Sequence, residues 1–169
     1  MQAHEVSFDI EATPEEVWKS LHPRMSPLPS GERRVIEHGD VRIEIVHPGD
    51  DEGLGLVRHC EFRVPRYLLS GGLGRSFEAI IESRRNEFSM YEAVGKPLWS
   101  KATGWHRLED LGDGRTRVTF GETYEALNPI LRRLLERRVH RFISADNDVL
   151  IRQAVEQGVA ARRTRVAKD

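Results

Sequence analysis

Along most of the chain before Asn128, hydrophobic and polar residues alternate in short stretches, and this pattern predicts β-strands. The first example is Val6, Phe8 and Ile10, which alternate with polar neighbours in the way that a half-buried strand requires. The same alternation, or a short apolar run, occurs in six further stretches. We therefore predict seven strands, at residues 6–10, 41–45, 54–64, 77–82, 88–93, 103–108 and 116–124.

Short turns connect these predicted strands. Arg84-Arg85-Asn86 is typical of a hairpin, and Gly112-Asp113-Gly114 is a stronger hairpin signal because Asp-Gly favours the primed turns. No helical pattern separates the second strand from the seventh. Since parallel strands need long crossover connections, we predict an antiparallel meander.

Helix-start signals occur at two places. Thr13-Pro14-Glu15-Glu16 supplies an N-cap, a proline at the first helical position and the carboxylate of a capping box. Asn128-Pro129 begins a much longer stretch, in which apolar residues recur at helical spacing. We predict a helix over 129–157, ended by Gly158 and followed by a flexible basic tail over about 159–169. Residues 24–31 predict a loop or one irregular turn.

These elements predict an α+β fold in a single domain spanning residues 1–169. A curved seven-stranded antiparallel sheet is expected to wrap around the long C-terminal helix, with one or two short helices after the first strand. A helix cannot touch every strand of a strongly curved sheet. The remaining space between sheet and helix is a natural site for a ligand.

Composition narrows the classes of function. The formal net charge of −1 does not fit a globally basic nucleic-acid binder, so we expect no nucleic-acid partner. Cys60 is the only cysteine, which excludes an intrachain disulfide and a cysteine metal cluster. No apolar run approaches the length of a membrane span. We expect a cytoplasmic protein with no integral membrane segment, no metal and no cofactor, and of unknown oligomeric state.

The charge is distributed unevenly along the chain. Residues 129–169 contain ten Lys or Arg against five Asp or Glu, which is net +5, whereas the preceding residues are net −6. A solvated helix face explains this asymmetry, and so does an anionic partner or membrane surface. The sequence leaves both explanations open.

Three motifs, together with the order of elements, resemble the START-like (SRPBCC) superfamily. They are Ala-Thr-Pro-Glu-Glu-Val-Trp at 12–18, Gly-Leu-Gly-Leu-Val-Arg at 53–58 and Gly-Asp-Gly-Arg-Thr-Arg-Val-Thr-Phe at 112–120. The resemblance covers residues 4–158. It implies the helix-grip fold of polyketide cyclase/dehydrases, lipid-transfer START domains and birch-pollen-allergen-like proteins. One departure is the glycine-rich segment 65–75, which is longer than in many members and would be a lid if it covered the cavity.

Arg58 and Asp146 are the candidate polar groups of that cavity. Arg58 shares the apolar face of its strand, and a charge there needs a partner or a polar ligand. Asp146 and Asn147 interrupt the apolar stripe of the long helix, so one of them is a candidate ligand contact, general base or partner for Arg58. His59 and His106 show no metal-ligand spacing, although His106 is able to face the cavity. The full set that we expect to contact a ligand is Leu56, Arg58, Cys60, Phe62, Phe77, Met90, His106, Phe120, Phe142, Asp146 and Val149.

Three functions fit these residues. The first is binding or transport of a small hydrophobic molecule, such as a lipid, polyketide or aromatic compound. The second is a polyketide cyclase/dehydratase-type reaction in the same cavity, which requires at least two convergent ionisable groups. The third is protein interaction through the basic helix face, which requires a filled core and an exposed patch.

Overall fold

The computed structural model describes residues 1–22, 34–38, 40–68, 71–96 and 98–166, and its central element is one antiparallel sheet. The strands of these residues pair in the order β1-β8-β7-β6-β5-β4-β3-β2. Their bounds are β1 Gln2–Ile10, β2 Arg34–His38, β3 Val41–Pro48, β4 Leu56–Arg63, β5 Leu73–Arg84, β6 Phe88–Lys96, β7 Ser100–Gly112 and β8 Arg115–Ala126.

The helices follow the first and the last strand. Helix α1 (Pro14–Leu21) follows β1. After β8 the chain forms α2 (Pro129–Leu131), a π-helical segment (Arg132–Glu136) and the long helix α3 (Arg137–Val166), around which the sheet wraps. The predicted helix-grip architecture is confirmed.

The sheet has eight strands in the described residues, one more than the sequence predicts. The additional strand is β2, which pairs antiparallel with β3. Its sequence places Val35 beside Ile36 and therefore lacks the alternation of a half-buried strand. Hydrogen bonding to the neighbouring strand, rather than an intrinsic pattern, places it in the sheet. The loop predicted over 24–31 lies outside the described residues.

The local turn and cap predictions are confirmed. Asp113 and Gly114 both have positive φ, 54° and 72°, as a primed hairpin turn requires. At the start of α1, the Thr13 hydroxyl accepts a hydrogen bond from the Glu16 amide, and the Glu16 carboxylate accepts one from the Thr13 amide at 2.9 Å. These reciprocal bonds fix where α1 begins.

The end of the C-terminal helix was predicted wrongly. Helix α3 continues through Gly158 to Val166, so most of the predicted tail over 159–169 is helical. A Cβ atom on residue 158 would lie only 1.9 Å from the hydroxyl oxygen of Ser20 in α1. The glycine therefore permits a close approach of two helices and does not end one.

The last turns of α3 are held by packing and charge. Val159 is buried in the same apolar cluster as Trp18 of α1. Arg163 donates to the Glu16 carboxylate at 2.9 Å, and this bond is the main reason that the pKa of Glu16 falls to about 2. These contacts explain why the helix continues beyond Gly158.

We expect Val159→Ala to lower the free energy of unfolding by roughly 2 kcal/mol, because it removes buried methyl groups and leaves a cavity. Gln157→Ala is the matched control, since Gln157 lies on the exposed side of the same helix. Chemical denaturation measures both. Equal stability of the two variants would contradict the packing of this segment against α1.

The apolar core consists of two clusters on opposite halves of α3. One joins β1, α1 and the C-terminal half of α3 and contains Phe8, Ile10, Ala12, Val17, Trp18, Leu108, Val118, Val155 and Val159. The other joins the start of α3 to strand ends and contains Val64, Leu68, Leu98, Tyr124, Ala126 and Val139. Several polar side chains that face α3 belong to neither cluster, and they form the candidate site.

Candidate functional site

The face of the sheet that α3 covers is called the inner face. Side chains directly opposite each other on paired strands lie on the same face, so the strand register assigns each residue. Six of the predicted residues lie on the inner face: Leu56, Arg58, Cys60 and Phe62 of β4, His106 of β7 and Phe120 of β8. Alternation within each of these strands is enough to assign them.

Phe77 and Met90, in contrast, were predicted wrongly and lie on the outer face. Phe77 is opposite His59, is 58% exposed and has its ring 4.8 Å from that imidazole. Met90 is opposite Trp105, whose indole covers Gly121 on the outer side. The residues next to them in the chain, Glu78 and Tyr91, lie on the inner face instead. A register shift between Ile80 and Glu82 contributes to the error.

The three predicted residues of α3 are all at least partly exposed to solvent. Val149 is 55% exposed, so it is not in the interior as predicted, although it lines the pocket described below, and Phe142 is half-buried. Asp146 is half-buried and lies beside Phe62 in a pocket described below. The positions that face the sheet are partly occupied by polar residues, His140, Ser144 and Asn147, and a hydrophobic pattern cannot assign those.

Arg58 forms its ion pair with the neighbouring strand. Its Nε atom donates to Glu78 at 2.7 Å, and the Ser76 hydroxyl donates to the other oxygen of the same carboxylate at 2.9 Å. The guanidinium also lies 5.3 Å from the centre of the Tyr91 ring. The predicted Arg58–Asp146 pair is therefore wrong. Glu78 is the partner because it lies directly opposite Arg58 in the register of β4 and β5.

Two further inner-face groups stay protonated. Burial, and then the negative charge of Glu78, raise the pKa of the Tyr91 hydroxyl well above its usual value and also raise the pKa of the Cys60 thiol. The negative charge of Glu122 raises the pKa of Tyr91 as well, so two carboxylates on different strands disfavour ionisation of this hydroxyl. A neutral Tyr91 can donate a hydrogen bond to a ligand, whereas Cys60 is not an activated nucleophile.

Two histidines near Arg58 are neutral. Desolvation, and then the proximity of other basic groups including Arg58, lower the pKa of His106 to about 3 and that of His22 to about 4. The His22 ring stacks on Trp18 at 4.0 Å, and its buried Nδ1 atom has no hydrogen-bond partner in the described part of the chain. Both imidazoles are therefore uncharged hydrogen-bonding groups.

Glu122 forms a second polar cluster directly beneath α3. Its carboxylate accepts hydrogen bonds from Ser144 at 2.7 Å and Asn147 at 3.2 Å, and the Nε2 atom of His140 lies 3.6 Å away. Burial raises the pKa of Glu122, against the effect of the two hydrogen bonds. A carboxyl group with a raised pKa can exchange a proton closer to neutral pH than an ordinary glutamate.

A pocket of ≈ 290 Å³ opens between α3 and strands β3 and β4, and we call it the mouth pocket. The apolar residues of its lining come from α3 and from strands β3 and β4. The polar Asn147 also lines the pocket and donates to buried Glu122. The lining residues are Asp40, Val41, Phe62, Arg63, Ile143, Asp146, Asn147, Val149 and Leu150. The mouth pocket is thus lined by one member of the Glu122 cluster, Asn147.

A larger groove of ≈ 490 Å³ lies on the other side of α3, along β1. Its walls include Val6, Phe8, Arg152 and Glu156, and neither Arg58 nor Glu122 borders it. Among the described residues none of its lining side chains hydrogen-bonds to Arg58 or Glu122, whereas Asn147 of the mouth pocket donates to Glu122, so the mouth pocket is the better candidate.

Among the described residues, no group of three or more His, Cys, Asp or Glu side chains could hold a metal ion. In the same residues, no helix has the length and apolar character needed to cross a membrane.

Sequence reasoning did not find Glu78, Tyr91 as an inner-face residue, or Glu122. The signal for Glu122 was present in the sequence. Glu122 lies two residues from Phe120 and from Tyr124 and so shares their face of β8, just as Arg58 shares the face of Leu56 and Cys60 on β4. The signal for Glu78 required the register between β4 and β5, which the local sequence does not contain. Segment 65–75 is partly strand, since β5 begins at Leu73.

Comparison with known proteins identifies the fold. None of the protein-family models matches the sequence, and no curated protein matches it significantly. Among solved structures, a START superfamily protein from Mycobacterium smegmatis is similar with a TM-score of 0.61 at 12% identity, covering 95% of this chain and 99% of that one. The fold is thus that of the START-like superfamily, as the sequence motifs suggested.

Two further solved structures share this fold. Norcoclaurine synthase from Thalictrum flavum has a TM-score of 0.60 at 11% identity, with 96% of both chains covered. The di-domain ARO/CYC protein BexL of the BE-7585A biosynthetic pathway has a TM-score of 0.60 at 14% identity, with 95% of this chain and 47% of BexL covered. At these identities the likeness establishes the fold alone.

Proposed function

We propose that this protein binds a small, largely apolar molecule, such as a lipid, polyketide or aromatic compound, between the inner face and α3. The observation that carries the proposal is the mouth pocket, whose apolar walls adjoin Asn147 and, through it, buried Glu122. Ligand sites are commonly apolar pockets with a few convergent polar groups.

The accessibility of the polar residues supports an interior space behind this pocket. Arg58 and Glu78 keep 22% and 14% of their side-chain surface accessible. Desolvation nevertheless lowers the pKa of Arg58 more than any other single influence, and the nearby Glu78 carboxylate helps to hold that pKa above its usual value. Tyr91 and His106 are likewise strongly desolvated yet only half-buried by accessible surface. Side chains combine these two properties when they border an enclosed space.

The charges of the side chains around Arg58 favour an uncharged ligand. The positive charge of Arg58 is offset by Glu78, and Tyr91 and His106 are neutral. A ligand with a net charge would find no uncompensated opposite charge beside Arg58. An uncharged ligand with a hydroxyl or carbonyl group could instead bond to the Tyr91 hydroxyl or to a His106 nitrogen.

Native mass spectrometry of the purified protein tests this proposal, because a retained molecule would appear as an added mass. We expect Leu150→Trp, which fills the mouth pocket, to reduce retention at least tenfold, since buried apolar contact supplies much of the affinity for such a ligand. Gln157→Trp adds the same side chain to the exposed face of α3 and is the control. Equal retention by the two variants would contradict entry through the mouth pocket.

A second candidate function is a cyclase/dehydratase-type reaction in the same space. The observation that favours it is Glu122, whose raised pKa and fixed orientation suit proton transfer, with Tyr91 as a neutral donor nearby. Deuterium exchange at the acidic carbon of a 1,3-diketone in D₂O tests it. Exchange that is faster with the wild type than with Glu122→Gln supports the reaction, and equal rates oppose it.

A further inference from the structure

Large apolar side chains are exposed where β8 passes into α2. Leu127 is 50% exposed, Ile130 67% and Leu134 65%, and Trp99 before β7 is 59% exposed. The Leu127 amide donates to the Trp99 carbonyl at 2.9 Å, so these two residues are neighbours although they are distant in sequence. Exposed apolar residues gathered in one place indicate an interaction surface.

The orientation of the helix start explains why these side chains face solvent. Leu131 and Leu135 pack inward against the cluster that contains Val64 and Leu68. Ile130 and Leu134 come immediately before them in the chain, about 100° around the helix axis, and their side chains are exposed to solvent. The π-helical segment carries Leu134.

Arginines extend this surface along the helix. Arg133, Arg137, Arg138 and Arg141 are all exposed and recur at helical spacing next to Ile130 and Leu134. Within the described part of the chain none of these four has a carboxylate partner, whereas Arg132 pairs with Glu125 at 2.8 Å. We call the four arginines and the four apolar residues Trp99, Leu127, Ile130 and Leu134 the arginine–apolar patch.

We propose that the arginine–apolar patch docks the protein on an anionic lipid membrane surface. Phosphate headgroups would neutralise the unpaired guanidinium groups, and the apolar side chains would enter the boundary between headgroups and acyl chains. A nucleic acid would need the arginines but would leave the aliphatic side chains in water. A second copy of the chain would bring two sets of unpaired arginines together, which is unfavourable.

This docking is peripheral and needs no membrane-spanning helix. It also stands independently of the proposed ligand, because the residues of the patch are separate from those of the mouth pocket. The two proposals can therefore succeed or fail separately.

Vesicle co-sedimentation of the full chain tests the proposal. We expect binding to phosphatidylcholine vesicles that contain about 30 mol % phosphatidylglycerol, and much weaker binding to pure phosphatidylcholine. Arg133→Glu/Arg137→Glu should weaken binding more than about tenfold, since each basic residue near the surface contributes substantially. Ile130→Ser/Leu134→Ser should also weaken it, which separates membrane insertion from charge attraction alone.

The matched control is Arg85→Glu/Arg115→Glu, which makes the same change of net charge in the turn between β5 and β6 and at the start of β8, at the opposite end of the strands. It should bind like the wild type, and all variants should keep the wild-type circular dichroism spectrum. The proposal would be overturned if the control weakened binding equally, or if the wild type did not bind anionic vesicles. It would also be overturned if Ile130→Ser/Leu134→Ser bound as tightly as the wild type. Binding to duplex DNA without binding to vesicles would also overturn it and would assign the arginines to a nucleic acid.

Discussion

Arg58→Met is expected to lower the free energy of unfolding by about 3–5 kcal/mol, the range observed when one member of a buried ion pair is removed. The substitution leaves the Glu78 carboxylate, 14% accessible, with the Ser76 hydroxyl but without its cation. The loss is large because the interior cannot replace the hydration of an unpaired carboxylate. Chemical denaturation at neutral pH measures it.

The double variant Arg58→Met/Glu78→Met distinguishes the cause of that loss. It removes both charges and keeps unbranched side chains, so most of the lost stability should return. If the double variant is as unstable as the single one, the 2.7 Å contact between Arg58 and Glu78 does not explain the effect. A loss below about 1 kcal/mol in the single variant would mean that the pair behaves as a surface ion pair.

Acidification from pH 7 to pH 4.5 is expected to destabilise the fold by several kcal/mol. His106 and His22 have folded-state pKa values of about 3 and about 4, below the ordinary value of 6.5. The unfolded chain therefore binds protons between pH 6.5 and these values while the folded chain does not. Stability is fully present above pH 6.5 and is lost as the pH falls, by about 1.4 kcal/mol per pH unit for each group.

Glu122 acts in the opposite direction, because its pKa is raised in the folded state and protonation there favours folding as the pH falls. As a single group it should reduce, without reversing, the effect of two histidines. The measurement is urea denaturation at a series of pH values for the wild type and for His106→Phe. The variant should show a shallower pH dependence over this window, and identical slopes would contradict a buried neutral His106.

The inner face of β4 could be predicted from the sequence because β4 pairs with β5 without a register shift. Strict alternation then assigns Leu56, Arg58, Cys60 and Phe62 together. The partner of Arg58 could not be predicted, since Glu78 is selected by the register of a strand that follows a loop. A shift of one residue would have placed Phe77 opposite Arg58 instead.

The C-terminal helix shows which features local sequence can predict and which depend on distant contacts. Its start at Asn128 follows from local cap chemistry, and its length beyond Gly158 follows from contacts with α1 that no local signal contains. Val149 was assigned to the interior because it is apolar, whereas Ser144 and Asn147 face the sheet because Glu122 accepts their hydrogen bonds. A buried polar cluster reverses the rule that apolar helix positions face inward.

Ligand binding between the sheet and α3 is tested most directly by a methyl NMR titration with 2-naphthol, an uncharged aromatic molecule with one hydroxyl group. The proposed site predicts saturating shifts at the methyl groups of Ile143 and Leu150, which line the mouth pocket, and at Leu56 on the inner face. The methyl groups of Val94, which is 53% exposed, should not shift. Shifts confined to exposed residues such as Val94, or no shift at Ile143 and Leu150 up to the solubility limit, would contradict it.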